Sequence, residues 1–260
     1  MTKINIQGLQ WDEKSSFQQG PSKAPALIRK ALYSDSMNLY SESGISIEND
    51  GVIDKGDFKI ASYFDIEKRT QEHLASGAKL LSFGGDHSVT FPIIKAFHEH
   101  YPKLDILHID AHADLYHDYE GDPYSHACPF ARIMENGFAV KLVQVGIRTL
   151  NPHQAEQATK FGVEIHEMRN LDLNKIPKFH NPLYISLDMD GFDPACAPGV
   201  SHHEPGGLSS RQVINLLHGV KANIVGADIV EYNPDRDLND MTAYLAAKMT
   251  KELLAKMMAQ

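Results

Sequence analysis

The chain has 260 residues, 42% apolar and 23% charged, with 25 Lys and Arg against 34 Asp and Glu for a net charge of −9. That composition excludes disorder as the main state, and the lack of any run of about 18 apolar residues excludes a membrane-spanning helix. The acidic balance argues against nucleic acid as a partner, which needs a basic face, and is compatible with a cationic small substrate.

A first short strand is predicted over 4–9. The residues leading into it carry no secretory core and no Arg/Ser-rich transit stretch. Two cysteines, Cys128 and Cys196, make no disulfide framework, so a cytoplasmic location is expected. Helices are predicted over 24–33 and 67–78, then a strand over 79–83, a helix over 91–100 and a strand over 104–110. A helix over 126–136, a strand over 141–146 and a helix over 152–161 follow. Next come a strand over 183–188, a helix over 210–220, a strand over 224–230 and a last helix over 240–259. Ser209 with Gln212 reads as a capped helix start. In the last helix Met241, Leu245, Met249, Leu253 and Met257 recur every four residues, which reads as a core-facing stripe.

Strand–helix alternation without a linker predicts one α/β domain over 1–260, a three-layer α/β/α with a mostly parallel central sheet. In such sheets ligands bind where the strands end at their carboxyl side. The residues that carry chemistry follow four of these strands.

Gly84-Gly85-Asp86-His87 follows the strand over 79–83; paired glycines permit a sharp turn that presents His87. Asp110-Ala111-His112-Ala113-Asp114 closes the strand over 104–110, and its two-residue period sends Asp110, His112 and Asp114 to one side. His108, inside that strand, reads as a structural histidine on the other face. Ser186-Leu187-Asp188-Met189-Asp190 closes the strand over 183–188 and aligns Asp188 with Asp190, whereas Asp193, before Pro194, shapes a turn.

These clusters supply two imidazoles and four carboxylates, and four carboxylates at one sheet edge repel without cations. Two divalent ions fit if a carboxylate from each of the last two clusters bridges them. Oxygen-rich ligands with one His per ion suit Mn²⁺. Such a centre supplies hydroxide at neutral pH, which makes the reaction a metal-assisted hydrolysis.

Glu231 ends the strand over 224–230 and would repel a phosphate but hold a guanidinium. Capping a helix or meeting a surface lysine is its other reading. His126, opening a predicted helix, is either the proton donor to a leaving amine or a packing or capping residue.

Gly-Gly-Asp-His at 84–87, Asp-x-His-x-Asp at 110–114 and Ser-x-Asp-x-Asp-x-x-Asp-Pro at 186–194 resemble the ureohydrolases, the family of arginases, agmatinases and formimidoylglutamases. Ser16-Phe17-Gln18-Gln19-Gly20-Pro21, Glu120-Gly121-Asp122-Pro123-Tyr124-Ser125-His126 and Ser201-His202-His203-Glu204-Pro205-Gly206-Gly207 are similar to the plant-type arginases. The resemblance implies an arginase-like fold. It places His87 and Asp114 at one Mn²⁺, His112 and Asp190 at the other, and Asp110 and Asp188 as bridges. His126 becomes the proton shuttle and Glu231 the guanidinium holder.

It further implies attack by a metal-bridging hydroxide on L-arginine, giving ornithine and urea, in a homotrimer or hexamer. Agmatine is the alternative substrate. Formimidoylglutamate, an anion, suits an acidic rim of Asp118, Glu120 and Asp122 poorly. A one-zinc amide hydrolase fits the six-ligand set poorly. The animal-type loop that reads the α-amino and α-carboxylate groups has no match here, and His202 and His203 have no assigned role.

Overall fold

The computed structural model describes residues 2–259; Met1 and Gln260, where the expected domain begins and ends, lie outside them. Eight strands form one sheet: β1 (Ile4–Gln10), β2 (Val52–Lys59), β3 (Lys79–Phe83), β4 (Asp105–Ile109), β5 (Lys141–Ile147), β6 (Glu164–Glu167), β7 (Leu183–Asp188) and β8 (Ile224–Val230). Their spatial order is β2-β1-β3-β8-β7-β4-β5-β6, and every pairing is parallel. The six predicted strands are present with ends shifted by a residue or less. The two that the sequence did not announce, β2 and β6, are the sheet edges. An edge strand is paired on one side only and stays partly exposed, so it needs no apolar run. Val-Ile-Asp-Lys-Gly-Asp-Phe-Lys and Glu-Ile-His-Glu accordingly read as polar loop.

Helices α1 (Ala24–Leu32), α2 (Asp65–Leu74), α3 (Thr90–His100), α4 (Pro129–Glu135), α5 (Pro152–Phe161), α6 (Ser210–Gly219) and α7 (Met241–Met258) cover the two faces. One apolar cluster joins β3 residues Leu81 and Phe83 to α1, α6 and α7. The other joins Leu80 and Ile106 to α2, α3 and α4. Strand residues thus alternate between two cores, the mark of a sheet sandwiched between helical layers. The capping box of Ser209 and Gln212 forms as expected.

Two expectations are corrected. The stripe on α7 holds only in part: Met249, Leu253 and Met257 are buried and Leu245 packs partly buried against the core, but Met241 is 47% exposed. A four-residue repeat drifts by about 40° per step, so the stripe winds off the core face while Ala243, Ala246 and Ala247 take its place. His126 does not open a helix, because α4 begins at Pro129 with Cys128 as its cap. Proline locks φ for the first helical turn and sets the start there. His126 is left in the preceding loop, which removes its capping role. Among the described residues no helix is long and apolar enough to cross a membrane.

Candidate metal centre

The strands that carry the chemistry, β3, β8, β7 and β4, are neighbours in the middle of the sheet. Their carboxyl ends therefore open into one crevice. Gly85 is required at this turn: a Cβ there would lie 1.6 Å from the Trp11 carbonyl oxygen. That carbonyl accepts the Asp86 N–H at 3.1 Å, and the Gly85 carbonyl accepts the Glu231 N–H at 2.8 Å.

His87 Nδ1 lies 3.2 Å from Asp110 Oδ2, 3.1 Å from Asp114 Oδ2 and 3.0 Å from Asp188 Oδ2. It is buried and makes no hydrogen bond of acceptable geometry. On the far side His112 Nδ1 lies 3.1 Å from Asp190 Oδ2 and 3.5 Å from Asp110 Oδ1. The edge of a coordination octahedron with bonds of about 2.1 Å is about 3.0 Å. Donor atoms at these spacings, one of them an orphaned imidazole nitrogen, fit a metal ion. Asp110 presents one oxygen to each side. Asp188 presents Oδ2 to the His87 side, while its Oδ1 accepts the Asp190 N–H at 2.7 Å. Asp114 holds a left-handed backbone, φ 50°, a conformation costing a non-glycine residue about 1 kcal/mol or more.

The electrostatics express the same crowding. Burial, with the charges of Asp110 and Asp190, drives Asp188 well above the usual carboxylate range. Burial also pushes Asp190 up to about 6, against the pull of His112. Burial alone would keep His87 neutral, but the three carboxylates crowded around Nδ1 raise it well above the ordinary imidazole value.

The partners behind the ligands decide which nitrogen faces the centre. Ser186 Oγ donates to Asp228 at 2.7 Å and so accepts from His87 Nε2 at 2.9 Å. Asp228 also accepts from Thr90 at 2.8 Å and Tyr184 at 2.9 Å. This chain keeps the Nε2 proton and frees Nδ1 as a ligand. Asp228→Asn should leave the fold intact and weaken metal affinity about 10- to 100-fold, measured by competition with a chelating dye; unchanged affinity would remove Asp228 from this role.

His108 is corrected too. It does not face away: its Nε2 donates to Asp110 Oδ2 at 2.7 Å, while Nδ1 accepts from Gln144 at 2.9 Å. Positions 108 and 110 share a face by the strand period of two. Its ring stacks on Phe130, and burial keeps it below the ordinary imidazole value. His87, His108, Asp110 and Asp114 have ligand atoms within 4.8 Å of one another, but both His108 nitrogens are engaged by these partners.

Glu231 and His126 form a pair that sequence spacing did not reveal. His126 Nδ1 lies 2.8 Å from Glu231 Oε1, which also accepts the His87 N–H at 2.8 Å. Burial opposes charge on His126, yet the Glu231 carboxylate raises it to about 9. The same pairing holds Glu231 below its usual value against burial. Glu231 is also left-handed, φ 60°. A pocket of ≈ 200 Å³ opens onto the centre, lined by Ser16, Tyr116, Tyr119 and His202 as well as His112, Asp114, Asp188, Asp190, His126 and Glu231. The expected acidic rim is not its lining; Asp122 is instead paired with Lys14 at 2.6 Å. His203 lies outside, bonded to the Pro198 carbonyl at 2.7 Å, and Asp193 shapes its turn through the N–H groups of Ala195, Gly206 and Gly207. Arg148, which the sequence reading passed over, holds the backbone beneath Asp190 by donating to the carbonyls of Asp190, Gly191 and Phe192.

Fold and site together define a class: an α/β/α hydrolase with an Asp/His cluster able to hold metal at the carboxyl ends of parallel strands. The profile of the Arginase family matches residues 2–255. "Arginase, mitochondrial" of Medicago truncatula is 45% identical, over 97% of this chain and 81% of that protein. "Arginase 2, chloroplastic/mitochondrial" of Arabidopsis thaliana is 43% identical, over 96% and 79%. The solved arginase from Medicago truncatula superposes with a TM-score of 0.92 at 42% identity, covering 98% of this chain and 87% of that one. The chain belongs to the Arginase family and is a hydrolase of guanidino C–N bonds.

These relatives overturn the expected cytoplasmic location, since their names are mitochondrial or chloroplastic and point to organelles.

Proposed function

We propose that the protein hydrolyses L-arginine to ornithine and urea at a centre of two Mn²⁺ ions. The observation that carries this reading is Asp110, whose two oxygens face separate His/Asp groups beside an anionic pocket wall. The donors are carboxylates and imidazoles without a thiolate, the set preferred by manganese over softer-ligand metals. His87, Asp110, Asp114 and Asp188 would hold one ion, and His112, Asp190 and the shared aspartates the other. When bound, such ions supply a hydroxide nucleophile at neutral pH.

The chain's own residues supply the rest. Guanidinium stays protonated at any working pH, and Asp114, Asp188, Asp190 and Glu231 line the pocket while no Lys or Arg does. Glu231 attracts the substrate cation and holds the His126 ring through Nδ1. His126, charged at neutral pH, carries the proton that the departing amine requires.

Arginine is favoured by the names of the similar plant proteins. Agmatine is the second reading, favoured by a lining with no cationic side chain to receive an α-carboxylate. Urea release from manganese-loaded protein offered each compound in parallel tests both. Faster turnover of arginine supports the first, faster turnover of agmatine the second, and urea from neither sinks both. A trimer or hexamer belongs to the same proposal. The exposed Leu238 and Met241 are apolar surface of the kind subunit contacts cover, and light-scattering mass checks it.

A further inference from the structure

The segment Lys14-Ser15-Ser16 is used by no step above, yet it wraps His126. Ser16 Oγ lies 2.7 Å from His126 Nε2, and the Ser16 backbone N–H meets the same nitrogen at 3.1 Å. The His126 N–H donates to the Lys14 carbonyl at 3.2 Å. Asp86, in the turn after β3, anchors the segment by accepting the Lys14 N–H at 2.9 Å and the Ser15 hydroxyl at 3.3 Å. His126 is buried, whereas Ser16 is exposed and lines the pocket.

We propose that the Ser16 hydroxyl is the proton relay between His126 and the departing amine; this rests on the ureohydrolase reading and deepens it. Nδ1 is committed to Glu231, so the mobile proton sits on Nε2 and faces Ser16. The neutral ring, for which the Ser16 backbone N–H donates to Nε2, accepts from the hydroxyl; the protonated ring gives up that backbone contact and donates from Nε2 to Oγ. The hydroxyl can reverse its direction, which the backbone N–H cannot. In the step, the scissile C–N electron pair leaves with the amine nitrogen and takes the hydroxyl proton. Oγ takes the Nε2 proton at the same time. Serine ends unchanged and His126 ends neutral; the proton on the urea oxygen passes to the freed amine, which leaves as ammonium, and solvent recharges the ring.

The test compares the wild type with Ser16→Ala and Ser16→Thr, on arginine and on agmatine. Ser16→Ala should lose roughly 10²-fold in kcat with KM unchanged, and Ser16→Thr, which keeps the hydroxyl, should recover most of it. Full kcat in the alanine variant, a rise in KM alone, or threonine as slow as alanine overturns the relay. A second readout needs no turnover: the ¹⁵N signal of His126 Nε2 in metal-free protein should shift in Ser16→Ala, and an unchanged signal overturns the proposal. A wild type that releases no urea defeats the functional reading alone, and the ring signal still judges the pairing.

Discussion

Asp110→Asn should strip metal from both halves of the centre and lower urea release about 10³-fold, the loss expected when several kcal/mol of metal-derived transition-state stabilisation disappears. The substitution keeps shape and removes charge. Asp110 faces His87 Nδ1 through Oδ2 and His112 Nδ1 through Oδ1, so its charge serves both groups. It also accepts from His108 at 2.7 Å and from the His112 N–H at 2.6 Å. An asparagine nitrogen at either oxygen position would set donor against donor. Elemental analysis of the purified variant, with circular dichroism as the check on folding, measures the effect. Two ions per chain and undiminished turnover would refute the shared-ligand arrangement.

Glu231→Gln should leave the metal content unchanged and reduce kcat roughly 10²-fold or more, because the proton donor loses the charge that keeps it protonated. Its pH dependence carries the sign. In the wild type the charge of Glu231 outweighs burial and raises His126 from 6.5 to about 9. The stabilisation from this pair is therefore full below about pH 6.5 and lost as pH rises through about 9. It is on the order of 3 kcal/mol in the metal-free protein. Thermal unfolding of chelator-treated protein should show Tm falling between pH 6.5 and 9 in the wild type and a flatter profile in the variant. The alkaline limb of the kcat profile should move to lower pH in Glu231→Gln. Identical profiles would separate Glu231 from His126 in function.

Much of this His/Asp cluster was legible because its side chains are local in sequence. Asp110, His112 and Asp114 follow one strand within five residues, and a two-residue period aligns Asp188 with Asp190. Such spacing states which side chains face together before any fold is known. The same rule applied to His108 would have placed it beside Asp110. The other-face reading takes His108 as one residue out of phase with its neighbours, which the two-residue period does not support. Edge strands β2 and β6 and the true start of α4 were less legible, since exposure and a proline, rather than apolar periodicity, set them.

The sequence by itself determined the alternation of strands and helices, the two buried faces of the sheet, and the His and Asp residues that give the pocket its acidic character. Those follow from short-range rules of period, hydrophobic burial and charge. The tertiary structure decided that β8 and β7 insert between β3 and β4, which brings motifs some 140 residues apart to one crevice. It alone joined Ser16 to His126 and His126 to Glu231, contacts spanning 110 and 105 residues. No local periodicity encodes such pairs. They exist because burying two apolar sheet faces against seven helices leaves these strand ends as neighbours.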